Sequence, residues 1–213
     1  MIDPDGMETQ STIVKFSNGK FIVSGGDAND GDRGIYLDNG SGGKGARVGQ
    51  SITTHSFMDS EGKPVMGAQL DPNSTEGTDF IDKLEHDNPS LLSYMWNGQN
   101  RGDYDLKSKG IDERGDISRS AFMYRGSKNK DGDYGSARDY GNIGAGLVAA
   151  RKGLTWDQAR MGFDTYQGFK SDGVSLIGTS FTVPTIGIIP VREPATTVKA
   201  QMVGYRYGLK KYK

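Results

Sequence analysis

Thr12-Ile-Val-Lys-Phe-Ser-Asn18-Gly19-Lys-Phe-Ile-Val23 is the stretch whose reading decides the fold. Two runs of alternating and β-branched residues flank Asn-Gly, the pair that best tolerates the two positive φ angles of a type I′ turn, so the stretch predicts a β-hairpin. Further short strands are expected around it: Ile35 to Leu37, Arg47 to Phe57, and Pro64 to Leu70, separated by loops rich in Gly, Asp and Asn. The first 70 residues therefore read as a small, mostly antiparallel β-unit.

Beyond Asp71-Pro72 the hydrophobic period changes from two towards 3.6 residues. Short helices are predicted over Thr78 to Glu85 and over Pro89 to Trp96, the second with Pro in its first turn. Residues 97–136 are polar and Gly-rich and read as long loops. A helix from Asp139 to Arg151 carries Ile143, Leu147 and Ala150 at helical spacing. Thr155-Trp-Asp-Gln158 is a capping box that opens another helix, to about Phe169, with Ala159, Phe163 and Tyr166 on its apolar face. Pro194 opens a last helix with Val198, Met202 and Tyr205 inward and Lys210, Lys211 and Lys213 at its end. Residues 173–191 lack any charged side chain but contain Gly and Pro, which favours two buried strands over a membrane-inserting segment. The fold class expected is α+β, with an N-terminal antiparallel hairpin unit and a mainly helical, loop-rich C-terminal part.

Composition narrows the chemistry. Only 34% of the 213 residues are hydrophobic and 32 are Gly, which suits a loop-rich fold. There is no Cys, so disulfides, Cys nucleophiles and Cys-based zinc sites are excluded. The only histidines, His55 and His86, lack metal-ligand spacing and read as structural. The Asp-rich loop after Gly25 has a calcium-loop flavour without its terminal bidentate Glu, so a solvated loop is expected there, with no metal and no cofactor. The net charge of −1 hides a split. Residues 1–100 hold 7 Lys and Arg against 15 Asp and Glu, and residues 101–213 hold 19 against 12. The basic part faces either an anionic partner or the acidic part of the same chain.

Two motifs resemble known families. Met1-Ile2-Asp3-Pro4-Asp5-Gly6-Met7 resembles the Asp-Pro-x-Gly stretch that ends the core of Rhs (YD-repeat) proteins, where a β-shell encloses a variable C-terminal toxin. Asp139-Tyr-Gly-Asn142-Ile143-Gly-Ala-Gly146-Leu-Val148, followed by Gly153-Leu154-Thr155, resembles the polymorphic toxin type 44 domain, and Tyr104-Asp105-Leu106-Lys107 resembles its upstream Trp/Tyr-Asp-x-Lys motif. This chain departs from that pattern at Gly144 and Ala145, where the family often has His-Tyr. Its Asp139-to-Asn142 spacing is also one residue shorter.

These resemblances imply an antibacterial effector toxin, secreted and delivered into competitor cells, with residues 1–7 as a remnant of the Rhs core, 8–70 as an accessory β-unit and 71–213 as the toxin domain. They imply as partners the Rhs shell, a cognate immunity protein and an anionic polymer substrate, with no transmembrane helix. The expected catalytic set is Asp105, Lys107, Asp139 and Asn142, with Tyr104, Arg125, Arg138 and Gln167 binding substrate. A carboxylate can take or give a proton, a neighbouring Lys can stabilise a developing oxyanion, and Arg can fork onto a phosphate. Asp139 also has a plain structural reading as a helix cap. An RNA hydrolase is the first expectation, given the basic C-terminal part. A cell-wall hydrolase is the alternative, since two carboxylates suffice for glycosidic cleavage. A non-enzymatic envelope disruptor acting through 173–191 is the third.

Overall fold

The Asn18-Gly19 turn forms with φ of 49° and 77° at its two central residues, the type I′ geometry that leads β1 (Ser11–Ser17) back antiparallel as β2 (Lys20–Asp27). The computed structural model describes residues 11–27, 30–172 and 193–213, and side chains throughout these except 166–172. The N-terminal Asp-Pro-Asp-Gly stretch and the strands expected within 173–191 lie outside the described residues.

Around the hairpin a seven-stranded sheet assembles in the order β4-β3-β1-β2-β5-β6-β7. β3 (Gly34–Asp38) lies parallel to β1, and β4 (Lys44–Gln50) pairs antiparallel with β3 at the edge. β5 (Gln69–Leu70) pairs antiparallel with β2 and parallel with β6 (Gly126–Lys128), which turns back into β7 (Tyr134–Ser136). The sheet is therefore mixed, and it runs across residue 70 into the later part of the chain. Val14, Val23, Ile35, Phe57, Leu70 and Tyr134 form the core on this sheet.

Two expected strands are shorter than the sequence suggests. The run from Arg47 stops at Gln50, because the Thr53 and Ser56 hydroxyls capture local backbone groups: Ser56 Oγ accepts the Thr53 N–H at 3.1 Å, and Thr53 Oγ1 accepts the His55 N–H at 3.2 Å. Residues 51–57 thus form turns rather than a ladder. In the second run, Gly67 adopts φ of 80°, so only Gln69 and Leu70 remain to pair.

The helices are α1 (Glu76–Asp87), α2 (Leu91–Asn97), α3 (Arg119–Met123), α4 (Ala137–Arg151), α5 (Trp156–Asp172) and α6 (Ala195–Tyr212). Ser90 caps α2, which leaves Pro89 outside its first turn. The Thr155–Gln158 capping box closes in both directions, at 2.9 and 3.3 Å. The chain is α+β. α4 is the central helix: α1, α2 and α5 pack around it, and α6 crosses it closely. That crossing requires glycine, since a Cβ on Gly146 would fall 1.8 Å from the Gln201 carbonyl oxygen, and one on Gly204 would fall 1.8 Å from that of Ile143.

The charge asymmetry between the two parts has a visible use. Three acids of α1 pair with cations of the later part: Glu76 with Arg125, Asp82 with Lys130 and Glu85 with Lys211, at 2.6 to 2.7 Å. Among the described residues no helix is long and apolar enough to cross a membrane.

Candidate functional site

A cavity of about 210 Å³ opens between the loop 98–107, α4 and the start of α6. Five of the eight residues expected at the site line it: Tyr104, Asp105, Lys107, Arg138 and Asn142. The two motifs that carry them are more than thirty residues apart in sequence. A short 3-10 turn at Leu106–Ser108, packed on α4, brings them together.

Asp105 is 3% exposed. Its Oδ2 accepts the Arg101 N–H at 3.0 Å, while Oδ1 has no hydrogen-bond partner and lies 3.9 Å from Lys107 Nζ. Leaving a buried carboxylate oxygen unbonded costs about 1–3 kcal/mol or more, so a group retained in that state is a candidate for work on a ligand. Tyr104 stacks on Tyr94 with ring centroids 5.5 Å apart, forming an aromatic side to the cavity, and its hydroxyl is directed to Asp87. Arg138 donates to the Tyr124 hydroxyl and reaches Thr197 Oγ1 at 3.4 Å.

The opposite wall was not legible in the sequence. Glu193, Thr197 and Gln201, immediately before and along α6, face the same cavity. Glu193 Oε2 accepts from Arg160 Nη1 at 2.8 Å and from Gln201 Nε2 at 2.9 Å, and Arg160 also pairs with Asp164 one turn along α5. Of the residues expected inward on α6 only Tyr205 is buried, while Val198 and Met202 are half-buried. The buried face includes Thr197, Ala200, Gln201, Gly204 and Tyr205, and the available signal was the polar Gln201 beside the small Ala200 and Gly204. Gln201 is 3% exposed.

The other three expected residues do not line this cavity as described. Asp139 is buried on the sheet side of α4, where its Oδ2 accepts the Thr53 hydroxyl at 3.1 Å. Burial pushes its carboxyl above the ordinary value, against the opposing pull of the Ser56 and Thr53 hydroxyls. It is not the helix cap either: Ser136 holds that place, accepting the Asp139 N–H at 3.1 Å. Arg125 forks onto Glu76 at 2.8 and 2.6 Å and donates to the Leu106 and Lys107 carbonyls at 2.7 and 3.3 Å. Its guanidinium thus supports the turn that carries Asp105 and Lys107 instead of offering itself to a phosphate. The Gln167 side chain lies outside the described residues.

These bonds give Arg125 a measurable role. Arg125→Met should cost about 2–4 kcal/mol of stability, because it strands the partly buried Glu76 and two carbonyls. Arg125→Lys should recover only part of that, since an ammonium cannot reproduce the fork. Denaturant titration of the two variants checks the order.

His55 sits apart from the cavity, in the turn region of 51–57. Thr54 Oγ1 accepts from Lys199 Nζ at 2.9 Å and lies 2.7 Å from His55 Nδ1. Burial, and after it the Lys199 charge, lowers the His55 pKa from 6.5 to about 4. The unfolded chain therefore takes up a proton near pH 6.5 that the folded chain refuses until about pH 4, and stability falls as pH drops through that window. Melting temperatures between pH 7.5 and 4.5 should decline less steeply in His55→Gln than in the parent. Among the described residues no group of His, Asp or Glu could hold a metal ion, and Asp30 and Asp32 of the Asp-rich loop both pair with Lys44.

No protein-family model, no curated protein and no solved structure matches this chain. The resemblance to the type 44 domain therefore rests on its motifs alone.

Proposed function

We propose that the chain is a hydrolytic effector toxin that cuts glycosidic bonds of the bacterial cell wall, with Asp105 as the proton-transferring group. The observation that carries this reading is the buried, unbonded Oδ1 of Asp105 in the same cavity as a second carboxylate, Glu193. Glycosidic hydrolysis needs two carboxyl groups flanking one bond and no histidine or metal. Asp105 gives a proton to the departing glycosidic oxygen as the bond from the anomeric carbon to that oxygen breaks, and takes one back from the water that adds to the anomeric carbon. Glu193, oriented by Arg160 and Gln201, stabilises the positive charge that builds on the sugar ring. Lys107 and Asn142, which line the cavity, hold sugar hydroxyls.

The charge pattern favours a glycan over RNA. A polyanion is bound mainly through phosphate contacts, which call for a continuous surplus of cations. Here the ionisable lining comprises Asp105 and Glu193 against Lys107 and Arg138, and α1 takes up three cations of the basic part. In this reading the toxin reaches the periplasm of a competitor from an Rhs-type parent, and an immunity protein protects the producer.

The test is compartment. Directed to the periplasm of a susceptible bacterium, the chain should cause lysis, and retained in the cytoplasm it should be tolerated. Growth arrest with RNA decay from the cytoplasm would support ribonuclease action instead. Normal growth in both compartments would sink the toxin reading.

A further inference from the structure

Across Asp105 and Lys107 from the cavity lies a second hollow of about 320 Å³, on whose lining Arg101, Lys107 and Arg119 converge with Asn100 and Ser108. Three cations share this small space. Lys107 faces Asp105 at 3.9 Å, and Arg101 forks onto Asp112 at 2.5 and 3.1 Å. The Arg119 side chain is exposed and makes no ion pair or hydrogen bond among the described residues. The count leaves one positive charge without a counter-charge, beside a cavity whose own charges cancel.

The backbone of this hollow is strained where it meets the site. Asn100 and Arg101 are consecutive non-glycine residues in the left-handed region, with φ of 53° and 63°. Such conformations are unfavourable for residues with a side chain and persist where the surroundings enforce them, often at binding sites. Here the strain points the Arg101 N–H at Asp105 Oδ2, so the loop that fixes the reactive carboxylate also sets the Arg101 side chain on the rim of the hollow.

The geometry points to a carboxylate-binding subsite. The hollow takes one anionic substituent of the sugar polymer, a carboxylate borne next to the bond being cut, which Arg119 grips and Lys107 and Ser108 assist. This rests on the glycan reading of the neighbouring cavity. A single surplus charge matches a polymer with isolated carboxylates, and guanidinium and carboxylate meet as matching planar forks. A phosphodiester chain would present charge to the neutral cavity as well.

The experiment uses soluble cell-wall glycan fragments in two forms, one with peptide carboxylates free and one with the same carboxylates amidated. The full chain should cleave the free form with kcat/KM higher by about tenfold, the difference lying in KM. Arg119→Gln should bring the ratio of the two forms to within about twofold of one, and Arg119→Lys should restore part of it. Equal cleavage of both forms by the parent, or a preference that survives in Arg119→Gln, overturns the subsite while leaving the glycan reading in place. Cleavage of neither form, with degradation of RNA, overturns both.

Discussion

Asp105→Asn is expected to leave a folded protein whose turnover is lower by on the order of 10²–10⁴-fold, the usual scale for a lost proton-transferring group. The substitution keeps the shape, and the amide oxygen can still accept the Arg101 N–H that positions the side chain. It removes only the ability to take or give a proton at the unbonded position. Melting temperature should therefore stay near that of the parent while activity collapses. Asp139→Asn, at a carboxylate buried among the Thr53 and Ser56 hydroxyls, should show the opposite balance. Its activity should remain within about threefold of the parent, and any loss should appear in stability, as expected for an exchange at a buried hydrogen-bonded group. A fully active Asp105→Asn would remove the carboxylate from the mechanism.

Gly146→Ala is the substitution expected to damage the fold most. Its new Cβ would sit 1.8 Å from the Gln201 carbonyl oxygen, a backbone atom that cannot rotate aside, so α4 and α6 must separate along their contact. Overpacking commonly costs about 1–3 kcal/mol, and a backbone clash in a central helix pair belongs at or above the top of that range. For a chain of this size about 3 kcal/mol lowers Tm by roughly 6–12 °C. Five residues earlier, Gly141 has nothing within 4 Å of the same position. Gly141→Ala should stabilise α4 by up to about 1 kcal/mol through helix propensity. The same substitution in one helix thus has two signs, and thermal unfolding of the two variants reads them directly.

The elements announced by local chemistry were legible in the sequence. Asn18-Gly19 set the hairpin, and Thr155 with Gln158 set the start of α5, because each signal resides in neighbouring residues. The run after Arg47 misled because β-branched Thr53 and Thr54 favour a strand by propensity, while the hydroxyls of Thr53 and Ser56 bond locally and fold the chain into turns. The parallel pairing of β5 with β6 depends on chain segments more than fifty residues apart, which no local pattern reports.

The site divides in the same way. Asp105, Lys107 and Asn142 stand out as polar residues within recurrent motifs, and they share one cavity. Glu193 and Gln201 were hidden because their wall exists only once the glycine crossing has laid α6 against α4. Periodicity placed Asp139 and Asn142 on one helix but gave no rotation, and the structure turns Asp139 towards the sheet while Asn142 faces the cavity.

The central claim is tested most directly by incubating the purified chain with isolated cell-wall sacculi and measuring the new reducing sugar ends released into solution. The account predicts steady release by the parent and release lower by on the order of 10²–10⁴-fold with Asp105→Asn at equal folded concentration. No release by the parent, or undiminished release by a folded Asp105→Asn, would contradict it.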